Sequence, residues 1–204
     1  MLDLNISTLS ATALFAMATS ITPGPNNIML LSSGVNFGWK RTLPHLTGVT
    51  GGLFFILLLG ALGVQQWLFQ LHWLKETVKW LGAAYLSYLA WRLFRVNATA
   101  PSGTDNRSKP MTFLEAAIFQ WVNPKVWAMV LGFFSTYVPA QSNLPAIITL
   151  CMVFALVNLP CIGLWAFAGD RLNHWLRAGQ RLKWFNRTMG LLLMGSVLVA
   201  LLST

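Results

Sequence analysis

The sequence predicts an all-α polytopic membrane protein of about six transmembrane helices, built as two inverted three-helix repeats with the first and fourth helices broken. Three observations lead there. Of 204 residues, 55% are hydrophobic and only 9% charged, whereas a soluble domain carries charge on roughly a quarter of its residues. The apolar stretches reach the ~20 residues needed to cross the hydrocarbon core of a bilayer. Proline- and glycine-containing interruptions recur at corresponding places in the two halves.

Six spans follow from the hydropathy, roughly Ile6–Val35, Leu46–Leu68, Val78–Phe94, Phe113–Val138, Leu144–Ala168 and Met189–Leu202. The third and sixth are short, and flanking Lys and Arg extend them by snorkelling. A polar loop from Val96 to Met111 divides the chain. The whole chain, 1–204, reads as one transmembrane domain, with a first repeat at 1–95, a cytoplasmic loop at 96–112 and a second repeat at 113–204. The first basic residue is Lys40, so the positive n-region of a signal peptide is missing and the first apolar segment is expected to remain.

The net charge of +9 would suggest nucleic acid in a soluble protein. Here the basic residues gather in the loops before the second, fourth and sixth spans: Lys40 and Arg41; Arg92, Arg95, Arg107 and Lys109; Arg171, Arg177, Arg181, Lys183 and Arg187. The opposite side has only Lys75 and Lys79, and Lys125 falls inside a span. This is a topological pattern, not a nucleic-acid surface. Positive loops stay in the cytoplasm, so both termini are expected to face outward. Three spans per half then give the halves opposite polarity. The Arg171–Arg187 loop suits anionic lipid headgroups. Trp67, Trp73, Trp80, Trp91, Trp175 and Trp184 stand near span ends, as an interfacial aromatic belt requires.

Gly34 and Gly38, and Gly48 and Gly52, have the small-xxx-small spacing that brings helices close in lipid. Packing within one subunit accounts for it, and a homodimer face is the alternative. Cys151 and Cys161 share one apolar segment, about 15 Å apart along a helix, beyond disulfide reach. No metal motif, catalytic motif or cofactor fingerprint is present. No enzyme activity and no cofactor are expected.

The most informative residues are Thr22-Pro23-Gly24-Pro25-Asn26-Asn27 in the first span. Two prolines remove two amide donors and clash with the preceding turn. Asn123-Pro124-Lys125 interrupts the fourth span in the same manner. Pro at the first helical position, with Asn or Gly before it, starts a new half-helix. Irregular backbone at membrane depth survives only where it is buried or lines a wet cavity. Two half-helix N-termini, each partly positive, suit a carboxylate. Lys125 adds a formal cation that is costly in hydrocarbon. Asn26, Asn27 and Asn123 offer side-chain carbonyls to an ammonium group. The blander reading, two simple proline kinks and a snorkelling lysine, leaves the pairing of the interruptions unexplained.

Taken together, ITPGPNN, a basic loop, a Gly-rich second helix and QWVNPK resemble the LysE/RhtB family of bacterial amino-acid exporters over essentially the whole chain. The doubled Asn resembles the cysteine and O-acetylserine exporters within it. The resemblance implies efflux from the cytoplasm driven by the proton gradient, with small neutral amino acids favoured. It implies a binding role for Pro23, Gly24, Pro25, Asn26, Asn123, Pro124 and Lys125; Asn27 joins them on the residue chemistry alone. For proton coupling, no carboxylate lies at the centre of a span. Glu115 and Asp170 at span ends and His45 at the start of the second helix are the candidates, each also readable as a helix-end residue. Asn158 and Pro160 mark a bend in the fifth span that either lines the cavity or is only a kink. A metal-ion exporter or channel is the alternative function, disfavoured because acidic residues are nearly absent from the spans.

Overall fold

A computed structural model of the chain describes residues 6–63, 72–95, 109–138, 142–176 and 180–202. Those residues form eight α-helices: α1 (Ile6–Ile21), α2 (Pro25–Phe37), α3 (Trp39–Ala61), α4 (His72–Phe94), α5 (Phe113–Val122), α6 (Pro124–Tyr137), α7 (Leu144–Leu176) and α8 (Arg181–Leu202). Trp67, Arg107, Arg177, most of the 96–112 loop and the far end of the second expected span lie outside the described residues.

The chain breaks where the prolines dictate. α1 ends before Pro23 and α2 starts with Pro25 at its first turn, and the two axes are bent by 61°. α5 ends at Val122, and α6 starts with Pro124 behind an Asn123 cap. Pro44 and Pro160 sit inside α3 and α7 without ending them. Each removes one hydrogen bond from a helix held on several sides, which packing outweighs.

By length and apolarity, α3 and α7 each suffice to cross a membrane, and α1 with α2 supplies a third span if the bent pair counts as one. α4 and α8 carry charges at their ends, among them Glu76, Lys79 and Arg92, and Arg181, Lys183 and Arg187. They begin earlier than expected, at His72 and Arg181 instead of Val78 and Met189, because a helix continues into the charged interface where the apolar run does not. α7 is 33 residues long, about 50 Å, and so projects well past a ~30 Å hydrocarbon layer. Its projecting end carries Asp170, Arg171 and Asn173.

The outside of the bundle is apolar. Leu14, Phe55, Leu156, Leu164, Leu191 and Val199 are all more than half exposed, which a bilayer accommodates and water does not. The inside holds polar residues: Ser20, Asn27, Ser33, Thr42, His45, Gln120, Asn123, Asn158 and Asn186 are buried. Trp73, Trp80, Trp91, Trp175 and Trp184 point outward. Arg95 stacks on Trp91 at 4.1 Å, Arg181 on Trp175 at 4.6 Å and Arg187 on Trp184 at 5.6 Å, the arrangement of an aromatic–cationic interface band.

Four close crossings set the packing. Gly34 and Gly169 bring α2 against α7, Gly48 and Gly52 bring α3 against α5, Gly82 brings α4 against α5, and Gly190 brings α8 against α4. A Cβ at Gly34 would collide with the Ala166 carbonyl, and one at Gly48 with the Phe113 carbonyl. Gly34, Gly48 and Gly52 therefore serve packing within one subunit. Gly38 has a different task. It turns the chain from α2 into α3 at φ 81°, in the left-handed region that favours glycine.

Contacts between elements run crosswise. α1 and α2 pack on α7, α5 packs on α3 with α6 touching it, α3 packs on α7, and α4 packs on α8. The broken pairs thus meet near the middle of the bundle, each supported by the unbroken helix of the other half.

Candidate functional site

The first break leaves carbonyl groups at the end of α1 without helical partners, and side chains take them up one by one. The Thr22 hydroxyl donates to the Thr19 carbonyl at 2.9 Å, replacing the amide that Pro23 lacks. Asn27 Nδ2 donates to the Ser20 carbonyl at 2.8 Å and the Thr22 carbonyl at 2.7 Å. Trp165 Nε1, from α7, donates to the Ile21 carbonyl at 3.2 Å. Lys125 reaches across from the second break, and its Nζ donates to the Thr22 carbonyl at 2.6 Å, the Thr22 hydroxyl at 2.9 Å and the Pro23 carbonyl at 3.4 Å. A backbone interruption in an apolar interior persists only with such complete satisfaction.

On the other side of the same break, Gly24 caps α2 without a side-chain hydrogen bond. Its backbone is extended, at φ −179°, which any residue adopts, so conformation does not demand glycine. Space does. A Cβ at Gly24 would stand 2.6 Å from Lys125 Cδ and 3.2 Å from Nζ. The amides of Asn26 and Asn27 lie in the first turn of α2, where no preceding carbonyl is within the helix to receive them.

At the second break, Asn123 Oδ1 accepts from the Lys125 amide at 3.1 Å and caps α6. Trp127 Nε1 donates to the Trp121 carbonyl at 2.7 Å. Asn123 Nδ2 is buried and without a partner, an unspent donor beside the break.

Between the two breaks lies a small cavity lined by Thr19, Ser20, Gly24, Asn26, Asn27, Val49, Leu53, Gln120, Lys125, Val126, Met129, Asn158 and Ile162. Its polar wall is a set of paired amides and hydroxyls. Asn26 Nδ2 donates to Gln120 Oε1 at 2.7 Å, and Gln120 Nε2 donates back at 3.3 Å. Asn158 Nδ2 donates to the Ser20 hydroxyl at 2.9 Å and its Oδ1 accepts from Thr50 at 3.3 Å. Its opposite wall is apolar, from Val49, Leu53, Val126, Met129 and Ile162. Lys125 is the one formal charge in the lining.

The structure therefore brings Gly24, Asn26, Asn27 and Lys125 into one cavity. Pro23, Pro25, Asn123 and Pro124 shape the breaks from behind it. Of the three side-chain carbonyls expected to receive an ammonium, those of Asn26 and Asn123 are otherwise engaged, Asn26 Oδ1 by Gln120 and Asn123 Oδ1 by the Lys125 amide. Main-chain carbonyls of Thr22 and Pro23 hold the ammonium that is present, that of Lys125.

Gln120 was not singled out from sequence, although it stands three residues before Asn123. The signal was available, an amide in the middle of an apolar stretch. Ser20 and Thr19 gave none, since small hydroxyls are common in helices of this kind. Asn158 lines the cavity, as one of its two readings expected.

The three candidates for proton coupling lie elsewhere. Glu115 forms a capping box with Thr112, its Oε2 accepting from the Thr112 amide at 2.8 Å. Asp170 Oδ1 accepts from the Trp39 amide at 3.0 Å and caps α3. His45 is buried with neither ring nitrogen bonded.

Residues 17–204 match the model of the LysE type translocator family. The chain is 33% identical over 167 residues to the cysteine/O-acetylserine efflux protein of Salmonella typhimurium, covering 79% of this chain and 82% of that protein. It is 31% identical over 175 residues to the cysteine/O-acetylserine efflux protein of Escherichia coli K12, covering 83% and 86%. No solved structure matches significantly. With helices apolar on the outside, two broken segments facing one cavity, and this match over nearly all its length, the chain is a multi-pass membrane transporter belonging to the LysE type translocator family.

Proposed function

We propose that this protein is a secondary exporter of small neutral amino acids or close derivatives, of the kind represented by cysteine and O-acetylserine, working in the bacterial inner membrane. The observation that carries the reading is the cavity between the two breaks, which holds a single cation, a free half-helix N-terminus and a small apolar wall. The cation and the α2 N-terminus suit a carboxylate. The apolar wall suits a short uncharged side chain. The names of the relatives point to the same substrate class.

The crosswise packing of α1 and α2 on α7 and of α5 and α6 on α3 supports two inverted three-helix repeats, 1–95 and 113–204. Alternating access follows from rocking one repeat against the other around the cavity. The charge distribution supports cytoplasmic loops before the second, fourth and sixth spans and periplasmic termini. Proton coupling suits His45 best of the three candidates. Glu115 and Asp170 are spent on helix caps, whereas the buried imidazole is held by packing alone.

The test is transport by the purified protein in liposomes. Liposomes preloaded with unlabelled cysteine should accumulate external radiolabelled cysteine by counterflow, saturably, and an imposed pH gradient should drive net flux. Among the described residues no group of three His, Cys, Asp or Glu side chains could hold a metal. Flux of divalent cations without amino-acid counterflow would move the protein to the ion-exporter class.

A further inference from the structure

Lys125 is placed unusually for a residue meant only to attract a carboxylate. Its Nζ makes three bonds to oxygen at the carbonyl end of α1, close beside the Gly24 cap of α2. Carbonyl oxygens at the partly negative C-terminal end of a helix form a cation site, and here the Thr22 carbonyl serves it while also accepting from Asn27 Nδ2 at 2.7 Å. The three oxygens around Nζ match the three donors of a primary ammonium. The contact also joins the two breaks, because the lysine belongs to α6 and the carbonyls to the end of α1.

We infer that the Thr22–Pro23 oxygens form an ammonium site that Lys125 and the α-ammonium of the substrate occupy in alternation. This deepens the exporter reading and rests on it. When the substrate ammonium takes the carbonyls, Lys125 loses its partners and swings to the substrate carboxylate. The swing is short, since Nζ already lies 3.2 Å from where a Cβ of Gly24 would be, beside the first turn of α2. The lysine stem has the freedom for it. The exchange leaves the net charge of the site unchanged while every charged group keeps a partner: first Lys125 on carbonyls, then the substrate ammonium on carbonyls and its carboxylate on Lys125. It also gives the link between the repeats to the substrate, because the α1–α6 contact made by Lys125 is broken as the substrate binds. A substrate carrying a second cation would meet the released Lys125 and be rejected, which agrees with a neutral side chain against Val49, Leu53 and Met129.

The test uses two arms on the purified protein in detergent. In the first, thermal unfolding is followed for wild type, Lys125→Ala and Lys125→Met with added ethylammonium chloride, and with tetramethylammonium chloride as a cation that has no N–H donor. Ethylammonium should raise the unfolding temperature of both variants saturably, by about 3 °C at ten times its dissociation constant. It should leave wild type unmoved, and tetramethylammonium should move none of them. Ethylammonium acting equally on wild type, or on neither variant, overturns the inference. The second arm needs no variant. Binding of L-cysteine to wild type is compared with that of 3-mercaptopropionate, the same molecule without its ammonium. The expected loss is about tenfold to a hundredfold, the value of a charged hydrogen-bonded group. Equal binding of the two overturns the inference even if both variants fail to fold. Failure of wild type to bind either compound would refute the substrate assignment instead, and leave the ethylammonium arm to decide the cation site.

Discussion

Gly24 and Lys125 show how a single atom of space decides a site. The glycine is required because the lysine stem passes where a Cβ would be, 2.6 Å from Cδ. Gly24→Ala should therefore dislodge Lys125 from the Thr22 and Pro23 carbonyls and reduce transport by at least about tenfold. The amount of folded protein should be near that of wild type by size-exclusion chromatography. Transport at the wild-type rate would mean that the lysine contact has no functional role. Gln120 offers a second check. Its amide pairs with Asn26 across the cavity, so Gln120→Leu takes the partner from a half-buried Asn26 amide, at a cost of about 1 kcal/mol, visible as a lower unfolding temperature and weaker cysteine binding. The two motifs made Gly24, Asn26, Asn27 and Lys125 legible in the sequence, because prolines at membrane depth announce themselves. The direction of the lysine was not legible. Whether a cation meets a helix N-terminus or a helix C-terminus depends on how α1 and α6 cross, and one-dimensional spacing does not encode that.

At the scale of elements, the helices are placed by glycine crossings and by caps, and both are testable. Gly34→Ile would drive a side chain into the Ala166 carbonyl of α7. Overpacking of this kind costs about 1–3 kcal/mol or more, so the variant should unfold at lower temperature or fail to accumulate. Gly195 in α8 has nothing within 4 Å of its Cβ position. Gly195→Ala should be neutral or raise stability by about 0.5–1 kcal/mol, through helix propensity alone. Similar losses at the two positions would contradict the packing described. Helix boundaries were legible where chemistry marks them, as at Phe113, one residue after the Thr112 cap, and at Pro25 and Pro124. They were misjudged where an amphipathic end continues past the apolar run. α4 starts at His72 and α8 at Arg181; in α8, Arg181 and Lys183 read as loop residues although the helix carries them exposed at its rim. The small-residue spacing was legible as a packing signal. Its partner helix, α7 for Gly34 and α5 for Gly48, became clear only in three dimensions.

For the whole molecule, composition was enough to give the class, and loop charge gives the proposed polarity of the two halves. Their meeting at one cavity required the structure, since it depends on α7 supporting α1 and α2 while α3 supports α5 and α6. The proposed topology predicts opposite labelling of two engineered cysteines. Ser142→Cys, between α6 and α7, should react with a membrane-impermeant maleimide in intact cells, and Thr104→Cys, in the 96–112 loop, only after lysis. Cys151 and Cys161 are buried and should contribute little background. The reverse pattern would invert the direction of transport assigned to the cavity. The central claim, that a zwitterionic amino acid passes through the site made by the two breaks, is tested most directly by counterflow of radiolabelled cysteine in liposomes containing either wild type or Lys125→Ala. Saturable counterflow by wild type, reduced at least about tenfold in the folded variant, is the predicted result; equal counterflow by the two proteins would contradict it and place the transport path away from Lys125.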